Sequence, residues 1–117
     1  MIGIDIVIVA RIEQMMTRFG TKALDRFLSP HEQSLVTSPT RAAGFWAAKE
    51  AASKALKTGI GKECSFADIL LDKLPNGAPT ISFAPHLIER FGIVDADLSI
   101  THDGGMAIAV VVVETKK

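Results

Sequence analysis

The sequence predicts an α+β domain in which a largely antiparallel sheet packs on one long central helix. Three observations carry this. The chain opens on β-branched residues alternating at a period of two, its middle is an alanine-rich stretch of helical period, and two tight-turn sequences, Pro75-Asn76-Gly77 and Asp103-Gly104-Gly105, each separate a pair of apolar runs. At 117 residues the chain fits one domain, 1–117, around one core.

Ile2, Ile4, Ile6 and Ile8 alternate with Gly3, Asp5, Val7 and Val9, which reads as a strand buried on both faces with Asp5 inside the sheet. From Arg11 to Leu28 the period changes: Ile12, Met15, Met16, Phe19, Ala23 and Phe27 return every three or four residues, predicting one helix kinked at Gly20 or two short ones. Ser29-Pro30 before His31-Glu32-Gln33 is a helix start, and Ser38-Pro39 repeats it. The second start opens the longest helix, Thr40 to about Leu56, which is apolar nearly all round and therefore packed on several sides. Ala67–Leu71 and Thr80–Phe83 read as a hairpin, Pro85–Phe91 as a helix closed by Gly92, and Leu98–Thr101 and Met106–Glu114 as the last two strands.

Hydrophobic residues make up 48% of the chain and charged residues 22%, which argues against extended disorder. Basic and acidic residues balance at 13 each, so no overall field favours nucleic acid or an anionic membrane, and a charged partner must be met by a local patch. Cys64 is the single cysteine, so no internal disulfide forms. The apolar start lacks the features of a signal peptide, and no apolar run approaches a membrane span. A soluble, cytoplasmic protein is expected.

Asp5 in an apolar strand bears a desolvation cost on the order of several kcal/mol unless a cation compensates it. Glu50 poses the same problem on the alanine-rich helix, and two such carboxylates brought together form a hard-oxygen site suited to magnesium. Taken singly, each acid is more simply a salt-bridged residue, Glu50 with Lys54 one turn on and Asp5 with an arginine. Lys54, with Lys49 and Lys57 nearby, would supply positive charge for a phosphate; a solvated lysine face is the plainer account of Lys49 and Lys57 alone. Gly59 and Gly61 follow the helix, where glycines either bring backbone N–H groups to a phosphate or merely cap the helix. His102 precedes a tight turn at a sheet edge, placed for a phosphate or carboxylate. Arg11, Arg18 and Lys22, at i, i+7 and i+11, fall in one angular band if Gly20 leaves the helix whole, a basic stripe suited to an acidic protein partner or an ordinary solvated flank.

Gly3-Ile4-Asp5-Ile6-Val7 with Arg11-Ile12, the run from Phe45 to Ala55, Thr58-Gly59-Ile60-Gly61, Asn76-Gly77-Ala78-Pro79 and Ser99-Ile100-Thr101-His102 together resemble the holo-[acyl-carrier-protein] synthases of the 4′-phosphopantetheinyl transferase superfamily, over nearly the whole chain. The resemblance implies transfer of phosphopantetheine from coenzyme A to a serine of acyl carrier protein, in the service of fatty acid biosynthesis. It implies Mg²⁺ held by Asp5 and Glu50, with Lys54 neutralising the diphosphate. Lys49, His102 and the backbone of Gly59 to Gly61 would hold the nucleotide phosphates, the turn from Asn76 to Pro79 would lie near the adenine, and Arg11, Arg18 and Lys22 would meet the carrier protein. A homotrimer with coenzyme A between neighbouring subunits is implied as well, with Asp5 and Glu50 of one site drawn from one subunit or from two. At Phe45, a position often arginine in the family, this sequence departs from the pattern.

Overall fold

The structure, a computed structural model, describes residues 1–116, so Lys117, the last residue of the expected domain, lies outside the described residues. Strand β1 (Ile2–Ile8) leads into helices α1 (Val9–Phe19), α2 (Thr21–Asp25), α3 (Pro30–Leu35) and α4 (Pro39–Ala55). Strands β2 (Ile69–Lys73) and β3 (Pro79–Phe83), helix α5 (Pro85–Phe91) and strands β4 (Ile93–Asp103) and β5 (Met106–Thr115) complete the chain. One sheet has the order β1-β5-β4 and the other pairs β2 with β3, every pairing antiparallel. The expected α+β class and its central helix are borne out.

Helix α4 holds the fold together because its residues are small. Ser38 caps its start by accepting from the Arg41 backbone N–H, and Pro39 occupies the first turn, where no amide partner is needed. Ala42, Ala43, Ala47, Ala48, Ala51, Ala52 and Ala55 are buried, and so are Ala107 and Ala109 on β5 facing them. Gly3 makes the tightest approach: a Cβ there would lie 1.9 Å from the Ala51 carbonyl oxygen and 2.6 Å from the Ala55 nitrogen. Without that side chain, β1 lies directly on α4, which carries Asp5 to the helix face that bears Glu50 and Lys54.

The first strand differs from its expected burial. Gly3, Asp5 and Val7 face α4, whereas Ile2, Ile4, Ile6 and Ile8 are 52% to 69% exposed. Both sets are apolar or small, so their alternation does not tell which one the chain itself covers. On the same outer face, β5 pairs Met106 with Ile8 and Val112 with Ile2, extending an uncovered apolar surface. β4 starts five residues earlier than expected, because Asp95 and Asp97 on its solvent side and an irregularity between Ile93 and Asp95 hide the strand pattern. Ala67 and Asp68, read as the start of a strand, instead belong to a 3₁₀ turn, Phe66–Asp68, that Ser65 and Asp68 cap reciprocally.

Gly20, at φ 61°, ends α1 and starts α2, so two short helices stand where one kinked helix was the alternative. Behind them the core continues into an aromatic cluster, with the Phe27, Trp46 and Phe66 rings at 5.0 to 6.1 Å between centroids. It encloses Glu32, which accepts from Lys49 Nζ at 2.7 Å and from the backbone N–H groups of Ser29 and Leu71 at 2.8 Å each. One carboxylate thereby ties α3, α4 and β2 together.

Candidate active site

At the β1 edge of the main sheet, Lys54 Nζ donates to Asp5 Oδ1 at 2.8 Å and to the Ile4 carbonyl at 3.3 Å. Glu50 lies one helical turn before Lys54, half-buried. Its carboxyl is pushed above the ordinary range, first by burial and then by repulsion from Asp5, with Lys54 acting in the opposite sense. Lys54 is held above the usual ammonium value, chiefly by its bond to Asp5. The structure therefore brings Asp5, Glu50 and Lys54 together within one chain. The expected salt bridge of Asp5 is present, but with a lysine from α4.

The donor set suits a hard divalent cation. No group of three or more histidine, cysteine or acidic side chains capable of holding a metal forms among the described residues. Magnesium is commonly bound by one or two carboxylates with water and substrate phosphate filling the other positions. A carboxylate whose proton affinity is raised by burial and by a neighbouring acid is the kind of group a dication relieves.

His102 sits at the opposite, β4 edge. With Thr40, Arg41, Gly44, Phe45, Lys73, Gly77, Pro79 and Ile100 it lines a groove between the start of α4 and the β2–β3 turn. His102 and the turn residues, read separately in the sequence, thus share one hollow. Arg41 and Lys73, which the sequence reading did not single out, join them there. Phe45 is core, with the Lys73 ammonium 5.9 Å from its ring centroid.

Helix α4 separates the two places. Arg41 and Glu50 are nine residues apart, about 13 Å along the axis and half a circle around it at about 100° per residue. Across the sheet, β5 lies between β1 and β4, a span of roughly 10 Å. A ligand lying against His102 in one chain thus has the body of α4 between itself and the carboxylates of that same chain.

Six expected residues stand apart from either place. Lys49 is 1% exposed and bonded to Glu32 and to the Phe66 carbonyl, so it serves the packing behind α4, not a phosphate. The Gly59 N–H donates to the Ser53 carbonyl and the Gly61 N–H to the Cys64 carbonyl, so both amides are already engaged and the helix-cap account of Gly59 stands. Arg11 and Arg18 share an exposed face of α1, but the break at Gly20 puts Lys22 on α2, outside that stripe.

The family model of the 4′-phosphopantetheinyl transferase superfamily matches residues 1–111. The chain belongs to this superfamily. It is 55% identical over 113 residues to the holo-[acyl-carrier-protein] synthase of Campylobacter curvus, covering 97% of this chain and 99% of that one. To the same enzyme of Aliarcobacter butzleri it is 54% identical, covering 100% and 99%. Among solved structures, holo-[acyl-carrier-protein] synthase of Helicobacter pylori in complex with coenzyme A superposes with a TM-score of 0.94 at 53% identity, covering 97% of this chain and 100% of that chain. The synthase of Bacillus anthracis with CoA (3′,5′-ADP) follows at 0.81 and 36%, covering 98% and 96%.

Proposed function

We propose that Asp5, Glu50 and Lys54 form the catalytic centre of this single-domain enzyme. The activity is that of a holo-[acyl-carrier-protein] synthase: a serine of apo acyl carrier protein takes the 4′-phosphopantetheine group of coenzyme A, and adenosine 3′,5′-bisphosphate leaves. A P–O bond to the serine forms as the diphosphate bridge breaks, and the hydroxyl proton is released. The observation that carries the assignment is the convergence of two carboxylates from β1 and α4 on one lysine.

Asp5 and Glu50 would hold Mg²⁺, which when bound neutralises charge on the diphosphate. Lys54 is half-exposed, so its ammonium can turn from Asp5 to a phosphate oxygen and hold the leaving group. His102 and the Asn76 to Pro79 turn would take the nucleotide end. Arg11 and Arg18 present fixed positive charge to the acidic surface of a carrier protein. Service in fatty acid biosynthesis and a cytoplasmic location complete the reading; no helix is long and apolar enough to cross a membrane among the described residues.

The two half-sites support a homotrimer. Because α4 stands between the two edges within one chain, the reading places coenzyme A between the His102 edge of one copy and the Asp5 edge of the next. The uncovered isoleucines of β1 supply the apolar surface such an assembly needs.

Incubation with coenzyme A, Mg²⁺ and apo carrier tests the function. The carrier should gain the mass of one phosphopantetheine arm, and a chelator should stop the gain. Transfer that persists in metal-free enzyme would overturn the metal assignment.

A further inference from the structure

Lys54 has two carboxylates nearby and commits to one. Glu50 stands four residues before it on the same helix, the ordinary partner for a lysine, yet the ion pair is with Asp5 across the contact of β1 with α4, Nζ to Oδ1 at 2.8 Å. The Ile4 carbonyl, at 3.3 Å, is a second acceptor for the same ammonium, so the lysine is docked on β1 at two points. The two partners differ in freedom. Asp5 is 14% exposed in its side chain, and Lys54 is the one cation paired with it among the described residues; the lysine side chain is 52% exposed and has room to swing off β1. A largely buried carboxylate keeps a cation beside it, and an ammonium and a dication at one carboxylate repel each other. A metal ion arriving at Asp5 therefore has Lys54 to displace, and the displaced ammonium needs an anion of its own. The diphosphate of coenzyme A is such an anion.

We propose that Lys54 is the resident counterion of Asp5 and couples the loading of Mg²⁺ to that of coenzyme A. Without coenzyme A the lysine holds the carboxylate against the metal; with coenzyme A it moves to the diphosphate and gives Asp5 up. Each ligand then raises the affinity for the other through this one side chain. The proposal rests on the activity given above and adds to it an exchange of partners that keeps the metal from settling on an enzyme without substrate.

Calorimetric titration of Mg²⁺ into the protein, with and without saturating coenzyme A, tests the exchange. A lysine that stays in place weakens metal binding equally in both cases, so its removal leaves the ratio of the two affinities unchanged. One that moves makes the ratio depend on it. Lys54→Met should therefore bind Mg²⁺ about tenfold more tightly than wild type without coenzyme A, the scale of one charge-assisted hydrogen bond. The gain on adding coenzyme A should shrink by about the same factor. Lys54→Gln, neutral but still able to donate to Asp5, carries the same expectation should a thermal melt show the methionine variant unfolded. Equal ratios in wild type and variant, or no tighter binding of Mg²⁺ without coenzyme A, would overturn the proposal. Transfer by the wild-type enzyme is read separately in the carrier mass assay. A ratio that shrinks without transfer would refute the activity and leave the exchange standing; transfer with an unchanged ratio would do the reverse.

Discussion

Gly3 decides how near the first strand comes to the central helix, and thereby whether Asp5 reaches Lys54. A methyl group there meets backbone atoms of Ala51 and Ala55, which cannot rotate away. Gly3→Ala should therefore cost about 1–3 kcal/mol by overpacking and should reduce transfer beyond what the stability loss explains, as read by urea unfolding beside the mass assay. An alanine variant with wild-type midpoint and turnover would show that the close approach does not matter. Asp5 and Glu50 were legible because an acid amid apolar residues needs a reason. Lys49 satisfies the same pattern, but its partner Glu32 lies 17 residues back, and only the packing of α3 on α4 reveals the pair. Arg41 and Lys73 were not legible, because each is an ordinary basic residue until the β2–β3 hairpin folds beside α4.

At the scale of elements, the Lys49–Glu32 pair is the joint between α3, α4 and β2. Burial pulls the Lys49 ammonium below its usual value against the opposing bond to Glu32, so the partners depend on each other. Lys49→Met leaves a buried carboxylate without its cation and should cost about 3–5 kcal/mol while hardly altering the KM for coenzyme A. A raised KM with unchanged stability would instead return Lys49 to the phosphate site. The turn before β2 has an acid-sensitive cap: the bonds from His86 and the Ser65 N–H hold Asp68 below the ordinary carboxylate value. The native state then binds fewer protons than the unfolded chain, so this contribution is present above the unfolded value of 3.8 and fades as pH falls through the lower, folded one. Asp68→Asn should lose stability at neutral pH and show a shallower decline in that acid window, measured by thermal melts across pH. Helix starts at Ser29-Pro30 and Ser38-Pro39 and both turn sequences were readable because they act locally. The early part of β4 was not, since its exposed aspartates resemble a loop.

For the whole molecule, the proposed assembly makes the two sheet edges complementary halves of one site. Glu50→Gln damages one half and His102→Glu the other, so each protein alone should be nearly inactive. Unfolded together and refolded, they should form some sites with both halves intact and recover activity well above the sum of the separate proteins. A mixture no better than that sum would place a whole site within one chain. The fold class followed from periodicity and turns, whereas the outward isoleucine ladder did not, because a strand face that its own chain covers and one that it leaves exposed have the same alternation.

The most direct measurement is the intact mass of apo carrier protein after incubation with coenzyme A, Mg²⁺ and Glu50→Gln enzyme, alongside a thermal melt of that variant. Burial and Asp5 both disfavour the Glu50 charge, so its removal should leave the melting temperature unchanged or raised, and transfer should fall by at least about a hundredfold, the scale of losing one transition-state electrostatic contact. A folded variant that loads the carrier at the wild-type rate would contradict the assignment of this cluster as the catalytic centre.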